Sequence, residues 1–359
     1  MEGNEETFLH GAWVRGKMIG SGSFGVVHLA IKKSNGALFV VKSSESQEGN
    51  LSLEHEAKIL EALYSPHIVQ CLGKDVSVGE NGGMKTSLFI EYMAAGSLGD
   101  VTERLGRKLD EPVIRAYTGE ILKGLKYLHD IGIVHGDLKC QNVLLDSRGN
   151  IKLADFGCAK QTHPKSKNQT TNKKFMCGTP LWMAPEVLRN QGLDSSYDIW
   201  SLGCTIIEMA TGKTPWGELG ISNPMAAMLK IASSNERPSI PKEFSKDGLD
   251  FLKKCLARVP EQRSTVDELL NHPFIKHEPK AKNIEEKHVY ENMCSPLSVL
   301  DMGLSDDGYE SGDSDELTNL KLQSKIPFSI RRYGKKRSSQ KQCAENEMVS
   351  HENWVTVRS

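Results

Sequence analysis

The sequence has no long apolar run, no excess of either charge and no basic leader, and each absence excludes a class of protein. No stretch approaches the about 18 apolar residues of a membrane-spanning helix, so no membrane span is expected. The 45 Lys and Arg against 46 Asp and Glu give a formal net charge of −1, so no direct binding of nucleic acid is expected. The acidic start lacks a secretory signal, and Glu2 excludes N-myristoylation.

Paired cysteines are also missing from the sequence. The 8 cysteines are scattered without a CxxC pair, which argues against a zinc site and against a disulfide framework. Reduced thiols in the cytosol or nucleus are the simplest expectation. We therefore expect a protein of the cytoplasm, with the nucleus as a second location if the basic run described below is an import signal.

What is present is the composition of an ordinary globular protein, with 38% hydrophobic and 25% charged residues over 359 positions. Strand patterns dominate the first quarter of the chain, notably at residues 26–31 and 37–41. Between them, Asn35-Gly36 predicts a hairpin closed by a type I′ turn, because both central residues of that turn need positive φ. A helix is predicted over residues 51–63.

Helical periodicity takes over in the middle of the chain. Apolar residues between positions 113 and 128 mark one face of a long helix, with Pro112 in its first turn and Gly132 just after its end. Residues 199–209 are apolar nearly all round, as in a helix buried in a large core. The helical pattern ends near residues 272–275.

The composition changes after about residue 278. Residues 301–316 hold seven acids and no Lys or Arg, and residues 321–341 hold eight Lys or Arg and no acid. Such charge blocks predict a disordered interaction tail. The acidic block is a candidate docking site for regulators. The basic run 331–337 is interpreted as a nuclear import signal, a contact for an anionic surface, or a solvated segment.

The first motif with chemical meaning is Gly20-Ser21-Gly22-Ser23-Phe24-Gly25-Val26-Val27, a G-x-G-x-x-G-x-V pattern. Glycines let the backbone approach phosphate oxygens closely. An ordinary glycine hairpin and a dinucleotide-binding fold are the alternatives. A strand follows these glycines, whereas a dinucleotide-binding unit needs a helix there.

Lys42, at the end of the second predicted strand, is the natural cation for a phosphate held by that loop. It needs an acidic partner, and the predicted helix offers Glu54 and Glu56. Glu56 lies four and seven residues before Leu60 and Leu63 on the inner face of the helix, whereas Glu54 lies on the polar face. We therefore predict that Glu56 is the partner.

Two further motifs place polar groups suited to phosphoryl chemistry. The run 135–142 (His-Gly-Asp-Leu-Lys-Cys-Gln-Asn) offers Asp137 to deprotonate a hydroxyl, Lys139 to neutralise a phosphate, and Asn142 as an oxygen ligand for Mg²⁺. Asp155-Phe156-Gly157 follows a short strand, where a carboxylate beside a glycine is a plausible metal ligand. The order of residue types is hard to explain as an ordinary polar loop.

With a fifth motif at residues 178–186, these motifs resemble a eukaryotic protein kinase across residues 13–275. The resemblance implies an α+β, bilobal fold: a small β-rich N-lobe with one main helix at about 13–93, and a larger, mostly α-helical C-lobe at about 94–277. Residues 1–12 would be a short extension, and residues 278–359 the disordered tail.

The resemblance also implies ATP and Mg²⁺ as cofactors, with Lys42 on the α/β-phosphates and paired to Glu56, and with Asp137 as catalytic base beside Lys139. Two Mg²⁺ ions would be held by Asn142 and Asp155. The implied nucleotide-binding residues are Ile19, Gly20, Ser21, Gly22, Ser23, Phe24, Gly25, Val26, Val27, Lys42, Glu91 and Met93. Ile90 would be the gatekeeper, Glu186 would pair with Arg263, and Asp198 would brace the catalytic loop.

The catalytic loop is similar to the Ser/Thr type, and residues 13–20 and 178–186 are similar to the plant MEKK-like kinases that head MAP kinase cascades. This implies an active Ser/Thr kinase whose substrates are MAP kinase kinases. The alternatives are a pseudokinase scaffold, against which the retained polar residues argue, and a small-molecule kinase of similar fold. The long segment 155–186 favours a protein substrate over the latter.

One position departs from the family pattern. Gly136 stands where the family usually has an arginine that pairs with a phosphate on the activation loop. We therefore expect activity to depend less on phosphorylation of Ser166, Thr170 or Thr171 than in arginine-bearing relatives. Cys140 and Cys158 flank the site, and for both a buried or inert thiol is a simpler expectation than redox control.

Overall fold

Alternating apolar residues build an antiparallel sheet of five strands in the order β1-β2-β3-β5-β4. The computed structural model describes residues 11–22, 25–79, 82–106, 108–162, 177–217 and 223–276. The strands of the sheet are β1 (Trp13–Gly22), β2 (Gly25–Lys32), β3 (Leu38–Ser44), β4 (Cys71–Val78) and β5 (Met84–Glu91). On one face of the sheet, the rings of Trp13, Phe39 and Phe89 pack edge to face in a small apolar cluster.

The hairpin between β2 and β3 is present, but its predicted turn type is wrong. Gly36 has a φ of 72°, while Asn35 is not among the described residues with positive φ. The Gly36 N–H donates to the Lys32 carbonyl at 2.8 Å, and the Asn35 side chain accepts from the Ala37 N–H at 3.0 Å. The Asn35 side chain therefore stabilises a longer turn in place of the two-residue type I′ turn.

The helix of the small lobe, α1, runs over Gln47–Leu60. It begins four residues before the predicted start, because the Ser46 hydroxyl accepts the Gly49 N–H at 3.1 Å and caps it. It ends three residues before the predicted end, where Glu61 begins the turn toward β4. Its buried face includes Leu53 and Glu56, which directs that carboxylate toward the sheet.

The larger lobe is mostly helical, and its centre is α5. The helices are α2 (Leu98–Arg104), α3 (Glu111–Asp130), α4 (Pro185–Leu188), α5 (Ser196–Thr211), α6 (Pro224–Ser233), α7 (Lys246–Cys255), α8 (Val266–Leu270) and α9 (Pro273–Lys276). The prediction of a long helix with Pro112 in its first turn and Gly132 after its end is confirmed by α3. The nearly complete burial of α5 confirms the second helix prediction.

Strands of two or three residues pair with one another in the larger lobe. They are β6 (Gly96–Ser97), β7 (Ile133–Val134), β8 (Val143–Leu145), β9 (Ile151–Leu153) and β10 (Lys160–Gln161). Hydrogen bonds of β9 with the chain before β4, such as the Val69 N–H to the Leu153 carbonyl at 3.0 Å, join the two lobes. The predicted α+β, two-lobed architecture is confirmed.

Within the described part of the chain, no helix combines the length and the apolar character needed to cross a membrane. Several predictions from the sequence fall on residues outside the described ranges. These are the nucleotide-loop residues Ser23 and Phe24, the phosphorylation candidates Ser166, Thr170 and Thr171, most of the N-terminal extension, and the whole charged tail.

Candidate active site

The strand β3 and the helix α1 bring Lys42 and Glu56 together. The Lys42 ammonium lies 2.7 Å from Glu56 Oε2 and 2.9 Å from Asp155 Oδ1. Glu56 also accepts the Phe156 N–H at 3.3 Å. Glu54, the alternative partner, is exposed. The pairing predicted from the helix phase is present, and it joins the sheet, α1 and the Asp155 motif at one point.

Lys42 and Asp155 hold each other in their ionised forms, whereas burial raises the pKa of the third group, Glu56, despite the Lys42 ammonium beside it. Burial alone would lower the pKa of Lys42, but the carboxylates of Asp155 and Glu56 outweigh it and raise that pKa. Burial would likewise raise the pKa of Asp155, but the Lys42 ammonium lowers it overall. At neutral pH the cleft therefore presents a fixed cation beside a fixed carboxylate.

The loop before β8 arranges the second group of polar side chains. Asn142 Nδ2 donates to Asp137 Oδ2 at 3.0 Å and to the Asp137 carbonyl at 2.7 Å. The Lys139 ammonium lies 3.0 Å from the same Asp137 Oδ2. Asp137 is 8% exposed, so these contacts hold its carboxylate in one orientation at the edge of the cleft.

Thr179 belongs to this group, although the sequence interpretation missed it. Its hydroxyl donates to Asp137 Oδ1 at 2.6 Å and accepts from Lys139 Nζ at 2.5 Å. The signal available in the sequence is the hydroxyl of the second residue in the motif 178–186, a motif that the sequence analysis uses only for the family resemblance. The threonine links that segment directly to the catalytic loop, across 42 residues of chain.

Asp198, in the first turn of α5, fixes the backbone of the loop that carries Asp137. Its carboxylate accepts the His135 N–H at 2.9 Å, the Gly136 N–H at 3.0 Å and a contact from His129 Nε2 at 2.8 Å. Burial would raise the pKa of Asp198, but the hydrogen bond and charge of His129, with further neighbours, lower it. A fully buried carboxylate is stable here because each of these donors faces it.

The glycine-rich turn between β1 and β2 leaves space above the cleft. A Cβ at Gly25 would meet the Ser43 carbonyl oxygen at 2.4 Å, so the return of the chain needs glycine there. Among the described residues, none has an atom within 4 Å of a Cβ built at Gly22. The described residues therefore leave the Gly22 backbone accessible, as a phosphate-holding loop requires.

The end of β5 carries two residues that the resemblance places at the adenine, Ile90 and Glu91. Ile90 lies opposite Val40 on β3, half-buried at the back of the cleft. The Glu91 carboxylate is held by Lys152 at 2.7 Å and by the Gln70 N–H at 2.6 Å. The Glu91 N–H also donates to the Gln70 carbonyl at 3.1 Å, so both the side chain and the backbone of Glu91 are fixed at the end of β5.

Asn142 and Asp155 suit a hard cation. Both amide hydrogens of Asn142 point to Asp137, which turns its oxygen toward other partners. Asp155 is two-fifths exposed and has a left-handed φ of 64°, a strained conformation typical of functional sites. The described residues contain no cluster of three or more His, Cys, Asp or Glu that could hold a metal alone. Two protein ligands completed by phosphate oxygens and water are what Mg²⁺ prefers.

The expectation of reduced thiols throughout is wrong at one pair of cysteines. Cys158, in the turn after Phe156, forms a disulfide with Cys177, which precedes Gly178. A CxxC search does not find this pair, because its sequence separation is 19. Cys140 is free and fully buried, and burial raises the pKa of its thiol well above the usual value, as expected of an inert thiol.

The ion pair implied for Glu186 and Arg263 is also present. The two guanidinium nitrogens reach the two carboxylate oxygens at 2.6 Å each. Arg263 further donates to the Ala257 carbonyl at 2.7 Å and lies over the ring of Trp200. The pair fixes the segment that follows the motif at residues 178–186 to the helical core.

Comparisons with known proteins agree with this geometry. A family model described as "Protein kinase domain" matches residues 13–275. Mitogen-activated protein kinase kinase kinase 17 of Arabidopsis thaliana is 38% identical, over 80% of this chain and 76% of that protein. Mitogen-activated protein kinase kinase kinase ANP1 of the same plant is 40% identical, over 80% of this chain and 43% of that protein. Serine/threonine-protein kinase BCK1/SLK1/SSP31 of Saccharomyces cerevisiae is 43% identical, over 73% of this chain and 18% of that protein.

Proposed function

The chain belongs to the protein kinase family, as a Ser/Thr kinase in the branch of MAP kinase kinase kinases, and we propose that it transfers the γ-phosphoryl group of ATP to Ser or Thr of MAP kinase kinases. The observation that carries the proposal is the meeting of Lys42 with both Glu56 and Asp155 in the cleft that Asp137 borders. That arrangement supplies a phosphate-binding cation, a metal ligand and a base together.

The proposed roles follow from charge and position. ATP with Mg²⁺, when bound, supplies the phosphoryl group to be transferred. Lys42 orients its phosphates and is itself held by Glu56, while Asp155 and Asn142 hold the metal. Asp137 accepts the proton of the acceptor hydroxyl, and Lys139 offsets the negative charge that develops on the phosphoryl oxygens.

We propose that the nucleotide lies under the glycine-rich turn and against the hinge. The residues proposed to line its site are Ile19, Gly20, Ser21, Gly22, Ser23, Phe24, Gly25, Val26 and Val27 above, with the backbones of Glu91 and Met93 at the adenine. Ser23 and Phe24 lie outside the described residues.

The substrate class is proposed from the names of the relatives and the Ser/Thr-type loop. The Thr179 contact to both Asp137 and Lys139 supports catalysis over the scaffold alternative. A binding module without turnover has no need of a base and a cation held by one hydroxyl. We further propose residues 13–277 as the kinase domain, residues 278–359 as a docking tail, and a location in the cytoplasm and nucleus.

The test compares wild type with Lys42→Met and Asp137→Asn on a panel of MAP kinase kinases with Mg²⁺ and labelled ATP. Each variant is expected to lose at least a hundredfold in rate, because each loses one group that stabilises the transition state. Lys85→Met is the matched control, because Lys85 pairs with Glu45 away from the cleft; it should retain activity. If wild type and both cleft variants transfer equally little phosphate to every protein of the panel, the scaffold alternative is correct.

A further inference from the structure

The disulfide joins Cys158, just after the Asp155 motif, to Cys177, just before the motif at residues 178–186. Cys158 comes two residues after Phe156, and Cys177 comes two residues before Thr179. Their Cα atoms are 5.4 Å apart, within the usual range for a disulfide. The bond therefore links the metal-ligand motif to the residue that contacts both Asp137 and Lys139.

Gly136 lies between these two chain segments. A Cβ at Gly136 would meet the Cys158 carbonyl oxygen at 2.5 Å, and a Cβ at Gly178 would meet the Gly136 carbonyl oxygen at 2.7 Å. The three backbones are thus in direct contact, with the disulfide joining the outer two. An arginine at position 136 could hold a phosphate on this segment, but the glycine has no charge to do so.

The pair differs from the other cysteines that the structure describes. Cys71, Cys140, Cys204 and Cys255 are free, and the last three are buried. A chain built on a disulfide framework pairs most of its cysteines, whereas a disulfide in a protein of the cytosol, the location proposed above, is usually catalytic or redox-sensing. Cys177 is only half-buried, so a small oxidant can reach it.

We propose that Cys158 and Cys177 are a reversible oxidation site for hydroperoxides, whose disulfide holds Thr179 against Asp137 and Lys139 and so raises kinase activity. The proposal rests on the proposed function. An increase in activity on oxidation is supported by the contacts of the cross-linked chain. In that chain Lys42 contacts both Glu56 and Asp155, and the Thr179 contacts are also formed. The covalent bond takes the place of the tether that Gly136 cannot provide.

The chemistry is a two-electron oxidation in two steps. The Cys177 thiolate attacks one oxygen of the hydroperoxide, the O–O bond breaks, and a sulfenic acid forms as hydroxide or alkoxide leaves. The Cys158 thiolate then attacks the sulfenic sulfur, the S–O bond breaks, and protonated hydroxide leaves as water. A dithiol reductant returns Cys158 and Cys177 to thiols by two successive thiol–disulfide exchanges, and it is itself oxidised to a disulfide.

The experiment measures kcat/KM of the full chain after hydrogen peroxide and after dithiothreitol, with mass spectrometry of the cross-linked peptide. Oxidised wild type is expected to show a Cys158–Cys177 peptide lighter by two hydrogens and at least tenfold higher kcat/KM than the reduced form. Cys158→Ser and Cys177→Ser should each match reduced wild type under both conditions. Cys71→Ser, the matched control, should respond as wild type does.

Absence of the cross-linked peptide, equal activity of the two forms, or lower activity of the oxidised form would overturn the proposal. If the reduced and oxidised forms had equal kcat/KM, far above that of Asp137→Asn, the redox proposal would be wrong and the proposed kinase function would be supported. If both forms were as inactive as Asp137→Asn, the proposed function would fall with it.

Discussion

At the scale of single residues, Gly136 shows how closely the catalytic loop is packed. Its φ of 82° is in the left-handed region that favours glycine, and its missing Cβ leaves room for the Cys158 carbonyl. Both its N–H, donated to Asp198, and its carbonyl, against Gly178, lie inside this packing. The backbone conformation and the close packing therefore require glycine at this position, independently of any effect of the missing arginine on a phosphate.

We expect Gly136→Ala to lower the free energy of unfolding by roughly 3 kcal/mol, because a left-handed non-glycine residue costs about 1–3 kcal/mol before the contact with Cys158 is added. Gly36→Ala is the matched control, because Gly36 also has positive φ but a Cβ there would meet no atom of the described residues within 4 Å. Urea denaturation measures both. Equal losses for the two variants would show that the close contact has no cost.

At the scale of elements, the Glu186–Arg263 pair connects pieces distant in the chain. Glu186 is on α4, and Arg263 follows a short turn before α8 and also donates to the Ser196 carbonyl at the start of α5 at 2.9 Å. The Arg263 side chain is fully buried. A buried bidentate pair of this kind fixes the positions of the elements that carry it.

Arg263→Lys is expected to lower the free energy of unfolding by about 3 kcal/mol, because a lysine cannot reach both oxygens of Glu186 and leaves buried acceptors without donors. Kinase activity should fall only in proportion to the unfolded fraction. Thermal and urea unfolding provide the measurement. Arg148→Lys, at an exposed turn, should leave the midpoint unchanged; a similar midpoint for Arg263→Lys would contradict the prediction.

At the scale of the whole molecule, the site exists only because two lobes with different architectures meet. Lys42 comes from the sheet and Asp155 from the helical lobe, 113 residues later, and their contact spans the cleft. The charged tail lies outside the described residues, so its part in the molecule is predicted from charge alone.

A reporter fused to residues 320–345 is expected to accumulate in the nucleus, because the basic run at 331–337 matches the composition of an import signal. Replacing the Lys and Arg of that run by Gln should return the reporter to the cytoplasm. Fluorescence microscopy decides the outcome. If the reporter with the native run stays in the cytoplasm, residues 331–337 are not a nuclear import signal.

The sequence by itself determined the features that depend on local chemistry. The order of the motifs, the strand that carries Lys42 and the face of α1 that carries Glu56 all follow from spacing along one element, where periodicity alone sets which side chains point inward. The ends of α1 and the turn at Asn35-Gly36 were predicted less well. A single cap or a side-chain hydrogen bond decides such details, and periodicity does not contain that information.

Only the tertiary structure decided which distant residues meet. The Thr179 contacts, the Cys158–Cys177 bond and the donors that surround Asp198 each join residues separated by 19 or more positions. No repeat or spacing in the sequence specifies such contacts. They depend on how buried helices and close glycine backbones pack, and that packing brings a hydroxyl, a thiol or a carboxylate within bonding distance of its partner.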